Sequence, residues 1–384
     1  MKHVERIALK RRIEASIKRT PVTLLLGPRQ CGKTTLAREI ASGRAGAYFD
    51  LEDPEATLAP ETISIQLKGL KGLIVIDECQ RLPSLFPLIR VLADRRPLPA
   101  RFLLLGSASQ ELVKGASESL AGRVHYLEMG GFTFEETGAK RLPMLWSRGG
   151  FPASFLAGPD EESHRWRLHF IQSFLERDLP SLGIRIPAPA LRRFWTMLAH
   201  LHGQVWNASE LARSMGTQEA TAKRYLDILT GSFMVRSLQP WFENVGKRLV
   251  KSPKIYIRDS GLLHSLLSLR SRKELLQHPK LGVSWEGFAL EEIIRLLEAD
   301  RDAFYYRTHG GAELDLLITR GGRRYGFEFK FADAPGTTKS MHAVMEDLRL
   351  EHLWIVYPGE RAYKLTEKIS TLPLAQAPET LDNL

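Results

Sequence analysis

A segment near the start of the chain has residue types and a spacing that could hold a chain of phosphates. Gly27 and Gly32 enclose four residues, and Lys33 and Thr34 follow at once. The apolar run 22–26 before them predicts a strand, and apolar residues at helical spacing after them predict a helix. Strand, glycine-rich loop and helix in this order form the phosphate-loop motif, in which backbone N–H groups and a helix N-terminus face the anion. We therefore expect a nucleoside triphosphate here.

The residues of this loop have separate expected roles. Lys33 would reach the outer phosphates and the Thr34 hydroxyl would bind Mg²⁺, so ATP and Mg²⁺ are the expected cofactors. A glycine-rich turn without a ligand is the alternative, and the flanking strand and helix count against it. The expected nucleotide-binding residues are Gly27, Pro28, Arg29, Gln30, Cys31, Gly32, Lys33, Thr34 and Thr35.

Further residues indicate hydrolysis. Asp77 and Glu78 end an apolar strand, where the aspartate can hold Mg²⁺ through water and the glutamate can activate the attacking water. Ser107 follows another apolar run and is expected near the γ-phosphate, with a turn serine as the alternative. Arg123 is a candidate for stabilising transition-state charge, at a neighbouring subunit's site in a homo-oligomer, with a solvated arginine as the alternative. The expected catalytic residues are thus Lys33, Glu78, Ser107 and Arg123.

The composition restricts the class of protein. The chain has 384 residues, a formal net charge of +10, two cysteines, and no apolar run near the ~18 residues of a membrane helix. A disulfide framework is therefore excluded, and we expect a cytoplasmic protein with no membrane partner. Cys31 and Cys79 flank the nucleotide site, where unreactive thiols are favoured over redox sensing. The positive charge favours a polyanionic partner, nucleic acid first.

The segment 207–238 has the pattern of a helix-turn-helix followed by a strand. Asn207 is a predicted helix cap, Gly216 ends the first helix, and a second helix follows. Residues 190–260 contain eleven Lys and Arg against five Asp and Glu, which suits phosphate contacts. The expected DNA-binding residues are Thr221, Lys223, Arg224, Lys247, Arg248 and Lys251. The alternative is a winged helix that contacts protein or acts as an ATPase lid.

Carboxylates and a lysine near the end of the chain have a spacing seen in metal-dependent nucleases. Asp315 lies in one predicted strand, and Glu328 and Lys330 lie on one face of the next, since side chains alternate along a strand. A preceding helix supplies Glu286 or Glu291. Asp315, Glu328 and Glu286 could bind Mg²⁺ or Mn²⁺, with Lys330 steadying the attacking water. This is the loose PD-(D/E)xK pattern, and a fold without activity is the alternative.

Changes in residue pattern divide the chain into four expected domains. Strands alternate with helices up to about residue 140, which indicates a parallel α/β sheet. Helices rich in Trp and Arg follow, up to a proline-rich break. The expected domains are an ATPase domain at 1–140, a helical lid or linker at 141–189, a winged helix-turn-helix at 190–260, and a nuclease-like α/β domain at 261–384.

Taken together, the chain resembles a prokaryotic family of AAA-like P-loop ATPases that carry a winged helix and a C-terminal domain of PD-(D/E)xK nuclease-like fold. The resemblance covers nearly the whole chain and rests on the segments GPRQCGKTT, IDECQRLP, GSASQELVKGASESLAGR, FLERDLPSL, SPKIYIRDSGLL and ELDLLI with FEFK. It implies an AAA-like ATPase core, and it associates such proteins with DNA transactions such as branch migration and with defence.

These observations predict an enzyme that converts ATP and water to ADP and phosphate. The favoured function is a Mg²⁺-dependent ATPase that binds DNA and couples hydrolysis to remodelling or translocation, with branched DNA such as Holliday junctions as a candidate. The alternatives are a nucleotide-gated signalling or defence switch and an ATP-coupled nuclease.

Overall fold

The computed structural model describes residues 4–53, 62–107, 116, 118–242, 249–382 and 384. The chain divides into two compact units: unit 1 is Met1–Phe132 with Gly231–Phe233, and unit 2 is Thr133–Thr230 with Met234–Leu384. The segments that we expected as three domains after residue 140 therefore fall almost wholly into unit 2, and their further division stays a prediction. Among the described helices, none combines the length and the apolar composition that crossing a bilayer requires.

Unit 1 contains a parallel sheet whose described strands lie in the order β2-β3-β4-β1-β5. The strands are β1 (Val22–Gly27), β2 (Gly46–Asp50), β3 (Gly72–Asp77), β4 (Ala100–Ser107) and β5 (Val124–Glu128). The central strand β1 is buried along its whole length, as expected of a strand covered on both faces in a parallel sheet. Strand β4 lies between β1 and β3, so the carboxyl ends of all three meet at one edge.

The described helices of unit 1 cover this sheet with apolar faces. They are α1 (Ile7–Arg19), α2 (Lys33–Ala41), α3 (Ile63–Lys68) and α4 (Leu85–Ala93). Helix α1 buries Leu9, Ile13 and Ile17 on one stripe. It ends at Arg19, and the next residue, Thr20, has an extended backbone before Pro21. One cluster of buried apolar side chains joins the strands to α3 and α4 and forms the core of the unit.

Unit 2 begins with helices that pack through aromatic side chains. They are α5 (Phe134–Thr137), α6 (Leu142–Arg148), α7 (Pro152–Phe155), α8 (Asp160–Ser173), α9 (Leu179–Ser181) and α10 (Ala188–His200). Phe151, Trp166, Phe170, Phe174 and Trp195 follow one another with ring centroids 4.6 to 6.2 Å apart. Such contacts account for the aromatic residues that the sequence places in this segment.

A small antiparallel sheet with the order β6-β8-β7 follows, together with two helices. The elements are β6 (Gln204–Val205), α11 (Ala208–Met215), α12 (Glu219–Gly231), β7 (Val235–Leu238) and β8 (Lys254–Ile257). The Asn207 side chain caps α11 by accepting a hydrogen bond from the Glu210 backbone N–H at 3.3 Å, as predicted. Gly216 ends α11 with a φ of 67°, a conformation that glycine adopts without strain.

The rest of unit 2 contains a mixed sheet with the order β13-β12-β11-β10-β9. Its elements are α13 (Ser260–Leu266), α14 (Arg272–Leu276), α15 (Leu281–Leu296), β9 (Ala303–Arg307), β10 (Glu313–Arg320), β11 (Arg323–Phe329), α16 (Lys339–Leu348), β12 (His352–Tyr357), β13 (Ile369–Pro373) and α17 (Ala377–Leu381). Strands β9 to β11 are antiparallel, and β11 to β13 are parallel. Gly321 and Gly322, with φ values of 57° and 77°, make the two-residue turn between β10 and β11.

One buried carboxyl group of unit 2 accepts its hydrogen bond from a backbone N–H. Glu292 on α15 is 4% exposed, and its Oε2 accepts a hydrogen bond from the Phe134 backbone N–H at 2.8 Å. Burial raises the pKa of Glu292 to about 7, although Arg295 and the Phe134 bond act to lower it. The folded protein therefore holds this proton at pH values where the unfolded chain has released it.

We expect Glu292→Gln to stabilise the protein at high pH. The pKa of Glu292 is higher in the folded state, so proton binding by Glu292 contributes to stability. This contribution is fully present below about pH 4.5 and is lost as the pH rises through about 7. Glutamine keeps the acceptor oxygen without the charge. The gain in unfolding free energy should be small at pH 5 and reach up to about 3 kcal/mol at pH 8. Urea denaturation at both pH values measures it.

The exposed Glu360 supplies the matched control. Glu360→Gln should leave unchanged the difference in unfolding free energy between pH 5 and pH 8. A Glu292→Gln variant that is equally or less stable than the natural protein at pH 8 would contradict a buried, protonated Glu292.

Candidate functional site

The loop between β1 and α2 has a backbone that requires glycine at its two framing positions. A side chain at Gly27 would place its Cβ 2.0 Å from the Met129 carbonyl oxygen. Gly32 has a φ of 99°, and Gln30 within the loop has a φ of 62°. Left-handed conformations within a loop are a feature of backbone loops that bind anions through successive N–H groups.

Lys33 is buried and its ammonium group lies over this loop. The side chain is 5% exposed, and Nζ donates hydrogen bonds to the carbonyl oxygens of Gly27 at 2.9 Å and Pro28 at 2.8 Å. Both acceptors are uncharged backbone groups. The two hydrogen bonds of the Lys33 ammonium group thus go to groups that carry no negative charge.

Asp77, at the end of β3, receives three hydrogen bonds that fix its carboxylate. Oδ2 accepts from the Thr34 hydroxyl at 2.7 Å and from the Tyr48 hydroxyl at 2.8 Å, and Oδ1 accepts from the Glu78 backbone N–H at 3.0 Å. The structure thus brings together Thr34 and Asp77, which the sequence assigned to Mg²⁺. Two adjacent oxygen groups of this kind fit the ligand preference of Mg²⁺.

Tyr48 is a residue of this site that the sequence analysis missed. Burial and the neighbouring Asp77 raise the pKa of the Tyr48 hydroxyl above its ordinary value, so it remains a donor. The Arg38 guanidinium lies 5.4 Å from the Tyr48 ring centroid. No local motif marks this tyrosine, because it reaches Asp77 only through the pairing of β2 with β3.

Glu78 follows Asp77 in the chain, and its backbone is left-handed with a φ of 53°. Its Oε1 accepts a hydrogen bond from the Ser107 hydroxyl at 3.3 Å, and its Oε2 accepts from the Gln80 side-chain amide. Ser107 ends β4 and so meets Glu78 at the shared edge of the sheet. The structure therefore places Ser107 next to Glu78, while Gln80 is a neighbour that the sequence did not indicate.

Arg123 lies away from these groups. It precedes β5, at the amino-terminal edge of the sheet, and its backbone carbonyl pairs with the Val22 N–H at the start of β1. Its guanidinium forms a two-point ion pair with Asp94, at 2.6 and 2.9 Å. Since a strand rises about 3.3 Å per residue, the sheet separates Arg123 from the phosphate loop of its own chain. A role at a neighbouring subunit's site stays a prediction.

Four carboxylates form a partly buried cluster, here called the acidic cluster, of Glu286, Glu313, Asp315 and Glu328. Asp315 and Glu328 are each 6% exposed, and they lie on the neighbouring strands β10 and β11. Lys330 contacts Glu328 at 3.2 Å. Burial, and next the charge of Asp315, raise the pKa of Glu286 and of Glu328.

Lys254, which the sequence analysis did not single out for this site, lies among these carboxylates. Its Nζ is 2.6 Å from Glu313 Oε1, 3.2 Å from Asp315 Oδ1 and 3.7 Å from Glu286 Oε1. In the part of the chain that the structure describes, no group of three or more His, Cys, Asp or Glu side chains is arranged to hold a metal ion. The described carboxylates thus surround a cation of the same chain, and the expected metal site stays a prediction.

The structure also separates the two glutamates that the sequence left as alternatives. Glu286 belongs to the acidic cluster, whereas Glu291 on the same helix pairs with Arg236 and with Arg258 at 3.3 Å. Burial acts to raise the pKa of Glu291, but these arginines outweigh it and lower the pKa to about 2. Glu291 is thus the centre of a structural ion-pair network.

The described residues of the expected DNA-binding set lie on α12 and before β8. Lys223, Arg224 and Lys251 are exposed, and Thr221 is half-buried. Lys247 and Arg248 lie outside the described residues. The structure thus presents two neighbouring cations on the solvent side of α12, while Ala222 and Leu226 are buried on its other side.

Comparisons with known proteins agree with this geometry in unit 1. Residues 19–138 match an AAA domain. Residues 139–273 and 281–377 match two domains of unknown function, DUF8612 and DUF4143. The expectation of an AAA-like domain is confirmed, and the winged helix and the nuclease-like fold stay predictions.

Two curated mycobacterial proteins match almost the whole chain. They are the uncharacterized proteins Rv2008c of Mycobacterium tuberculosis and Mb2031c of Mycobacterium bovis, each 51% identical over 374 residues, or 97% of this chain and 84% of theirs. The chain belongs to the family of these proteins.

One solved structure has a similar fold over much of the chain. The Walker-type ATPase PABY2304 of Pyrococcus abyssi is 17% identical to this chain with a TM-score of 0.50. The match covers 69% of this chain and 96% of that one. At this identity the likeness shows the fold alone, which is that of a P-loop ATPase.

We expect both cysteines to be unreactive in the folded protein. Cys31 and Cys79 are each 0% exposed, and burial, together with Glu78 and Asp77, raises the pKa of the Cys79 thiol. Because the thiolate is the reactive form, a thiol-specific reagent at pH 7.5 should label neither residue in native buffer and both in guanidinium. Rapid labelling of the native protein, followed by mass spectrometry, would instead support redox sensing.

Proposed function

We propose that the protein is a Mg²⁺-dependent ATPase that converts ATP and water to ADP and phosphate. The observation that carries this proposal is the 2.7 Å hydrogen bond between Thr34 of the phosphate loop and Asp77 of β3. It joins the loop to the acidic strand end in the arrangement that a metal-bound nucleotide requires. Membership of an AAA domain family at residues 19–138 supports the same conclusion.

Each group at this edge of the sheet has a role that its position supports. Bound phosphates would replace the two neutral carbonyl acceptors of Lys33, which gives the buried ammonium an anionic partner. Thr34 and Asp77 would hold Mg²⁺, which neutralises phosphate charge when bound. Glu78 would take a proton from the attacking water. The water oxygen would form a bond to the γ-phosphorus, while the bond between that phosphorus and the ADP oxygen breaks. Ser107 and Gln80 hold Glu78 in position.

We expect Lys33→Ala and Glu78→Gln to separate binding from turnover. Loss of a charged hydrogen-bond donor should weaken ATP binding roughly ten- to a hundredfold, measured with a fluorescent ATP analogue. Glu78→Gln should retain binding and reduce kcat by about 10²- to 10⁴-fold, measured by phosphate release.

Lys68→Ala is the matched control, because Lys68 is exposed at the end of α3 in the same unit. It should leave binding and turnover unchanged. Wild-type turnover by Glu78→Gln would remove Glu78 from the role of general base, and normal ATP binding by Lys33→Ala would remove the proposed nucleotide site.

We propose as a second function that α12 contacts DNA. Helices α11 and α12, joined through Gly216, and the sheet β6-β8-β7 have the element order of a winged helix-turn-helix. Lys223 and Arg224 are adjacent and exposed on α12, and Lys251 is exposed shortly before β8. The alternative is that this surface contacts a protein, since exposed cations serve both purposes.

We expect charge reversal on α12 to weaken DNA binding without regard to sequence. Lys223→Glu with Arg224→Glu removes two phosphate contacts, so the slope of log affinity against log salt should fall by about 2. Fluorescence anisotropy with duplex DNA between 50 and 200 mM salt measures this. Arg272→Glu with Lys273→Glu reverses two exposed cations on α14 and should have little effect. If both double variants bind DNA with the affinity of the natural protein, a protein partner for this surface is favoured.

We propose further that hydrolysis is coupled to DNA remodelling, with branched DNA as a candidate substrate. The test compares the ATPase rate with single-stranded, duplex and four-way-junction DNA. Stimulation that requires Lys223 and Arg224 is the expected result. A rate that is indifferent to all three DNAs would favour the nucleotide-gated signalling or defence switch.

A further inference from the structure

Lys254 is the first residue of β8, and its side chain enters the acidic cluster of the mixed sheet. It is 2% exposed, and its ammonium lies 2.6 Å from Glu313 and 3.2 Å from Asp315. Glu286 lies slightly further away, at 3.7 Å. A buried lysine of this kind is stable only when anions and hydrogen-bond acceptors surround it.

Three further contacts within the chain involve carboxylate oxygens of the cluster. Glu286 Oε1 accepts from the Tyr256 hydroxyl at 2.7 Å, and Asp315 Oδ2 accepts from the Phe329 backbone N–H at 3.2 Å. Glu328 is paired with Lys330 at 3.2 Å. Burial acts to lower the pKa of Lys254, yet Tyr256 and the carboxylates raise it above its ordinary value, so the ammonium stays charged.

Backbone contacts hold the same two parts of unit 2 together. The Trp241 N–H donates to the Tyr305 carbonyl at 2.7 Å, and the Tyr305 N–H donates to the Gln239 carbonyl at 3.0 Å. The Val250 N–H donates to the Arg307 carbonyl at 3.0 Å. The segments that flank β7 and β8 are thus joined to β9, and Lys254 lies where the small sheet meets the mixed sheet.

We propose that Lys254 is the resident cation of the acidic cluster, and that the cluster anchors β8 to the mixed sheet instead of holding a divalent metal for DNA cleavage. A divalent ion bound to Asp315 and Glu286 would lie within a few ångströms of the ammonium and be repelled by it. In a metal-dependent nuclease, such carboxylates would bind the metal ion. Here they form ion pairs with a lysine of the same chain.

The decisive variant is Lys254→Met, which keeps the length of the side chain and removes its charge. The measurement is Mn²⁺ binding to the full chain by calorimetry, in an Asp77→Asn background so that the nucleotide site does not contribute. The starting protein should show no saturable site. Lys254→Met should gain one site with a dissociation constant on the order of 10⁻⁴ to 10⁻³ M. Adding Asp315→Asn should abolish that site.

Two control variants test whether the gain of a Mn²⁺ site requires removal of the charge at Lys254. Lys254→Arg keeps the charge and should gain no Mn²⁺ site. Lys330→Met removes the lysine of the nuclease pattern, which is 42% exposed, and should gain none either. A site in the starting protein that Asp315→Asn removes, or a folded Lys254→Met protein without any gain, would overturn the proposal.

A second measurement does not depend on the folding of Lys254→Met. The natural protein is incubated with labelled junction, flap and linear DNA and Mn²⁺, with and without ATP, beside Asp315→Asn. Cleavage by the natural protein should not exceed that by Asp315→Asn. Robust cleavage that Asp315→Asn eliminates would overturn the proposal, and cleavage that also requires ATP would indicate an ATP-coupled nuclease. Neither experiment depends on whether the protein hydrolyses ATP.

Discussion

The parallel order of the sheet in unit 1 is the constraint on which the nucleotide site depends. Because β1, β4 and β3 run in the same direction and lie side by side, their carboxyl ends deliver the phosphate loop, Ser107 and Asp77 to one edge. The Thr34–Asp77 hydrogen bond then ties the loop to the acidic strand end at 2.7 Å. If any of these strands were reversed, one of the required groups would lie at the opposite edge, as Arg123 does.

Two buried lysines have opposite consequences for ligand binding because their partners differ. Lys33 is bonded to neutral carbonyl oxygens, which a phosphate can replace with a gain in electrostatic energy. Lys254 is bonded to carboxylates, so an incoming cation must compete with a positive charge already in place. The first arrangement favours an anionic ligand, and the second disfavours a cationic one. Similar burial therefore accompanies the proposed nucleotide site in unit 1 and the proposed internal contact in unit 2.

Unit 2 contains several buried charged groups that are held by ion pairs or by hydrogen bonds. Glu291 is surrounded by Arg236 and Arg258, and Arg167 donates to the Ser163 and Ser265 hydroxyls. Burying a charge is costly unless it is paired and hydrogen-bonded, so each of these groups specifies which helix or strand lies beside it. Charged residues that look solvent-exposed in the sequence therefore act as packing determinants here.

The sequence by itself determined the features that depend on neighbours along the chain. The loop at 27–34, the acidic pair Asp77–Glu78 and the Asn207 cap follow from local spacing, because strand, turn and helix geometry is set over a few residues. Glu286 and Glu291 show the limit of such reasoning. They are five residues apart on α15, so at 3.6 residues per turn they point in clearly different directions. Only the packing of α15 decided which one meets Asp315. Tyr48, Lys254 and the position of Arg123 were likewise decided by contacts between segments that are distant along the chain, which no local pattern encodes.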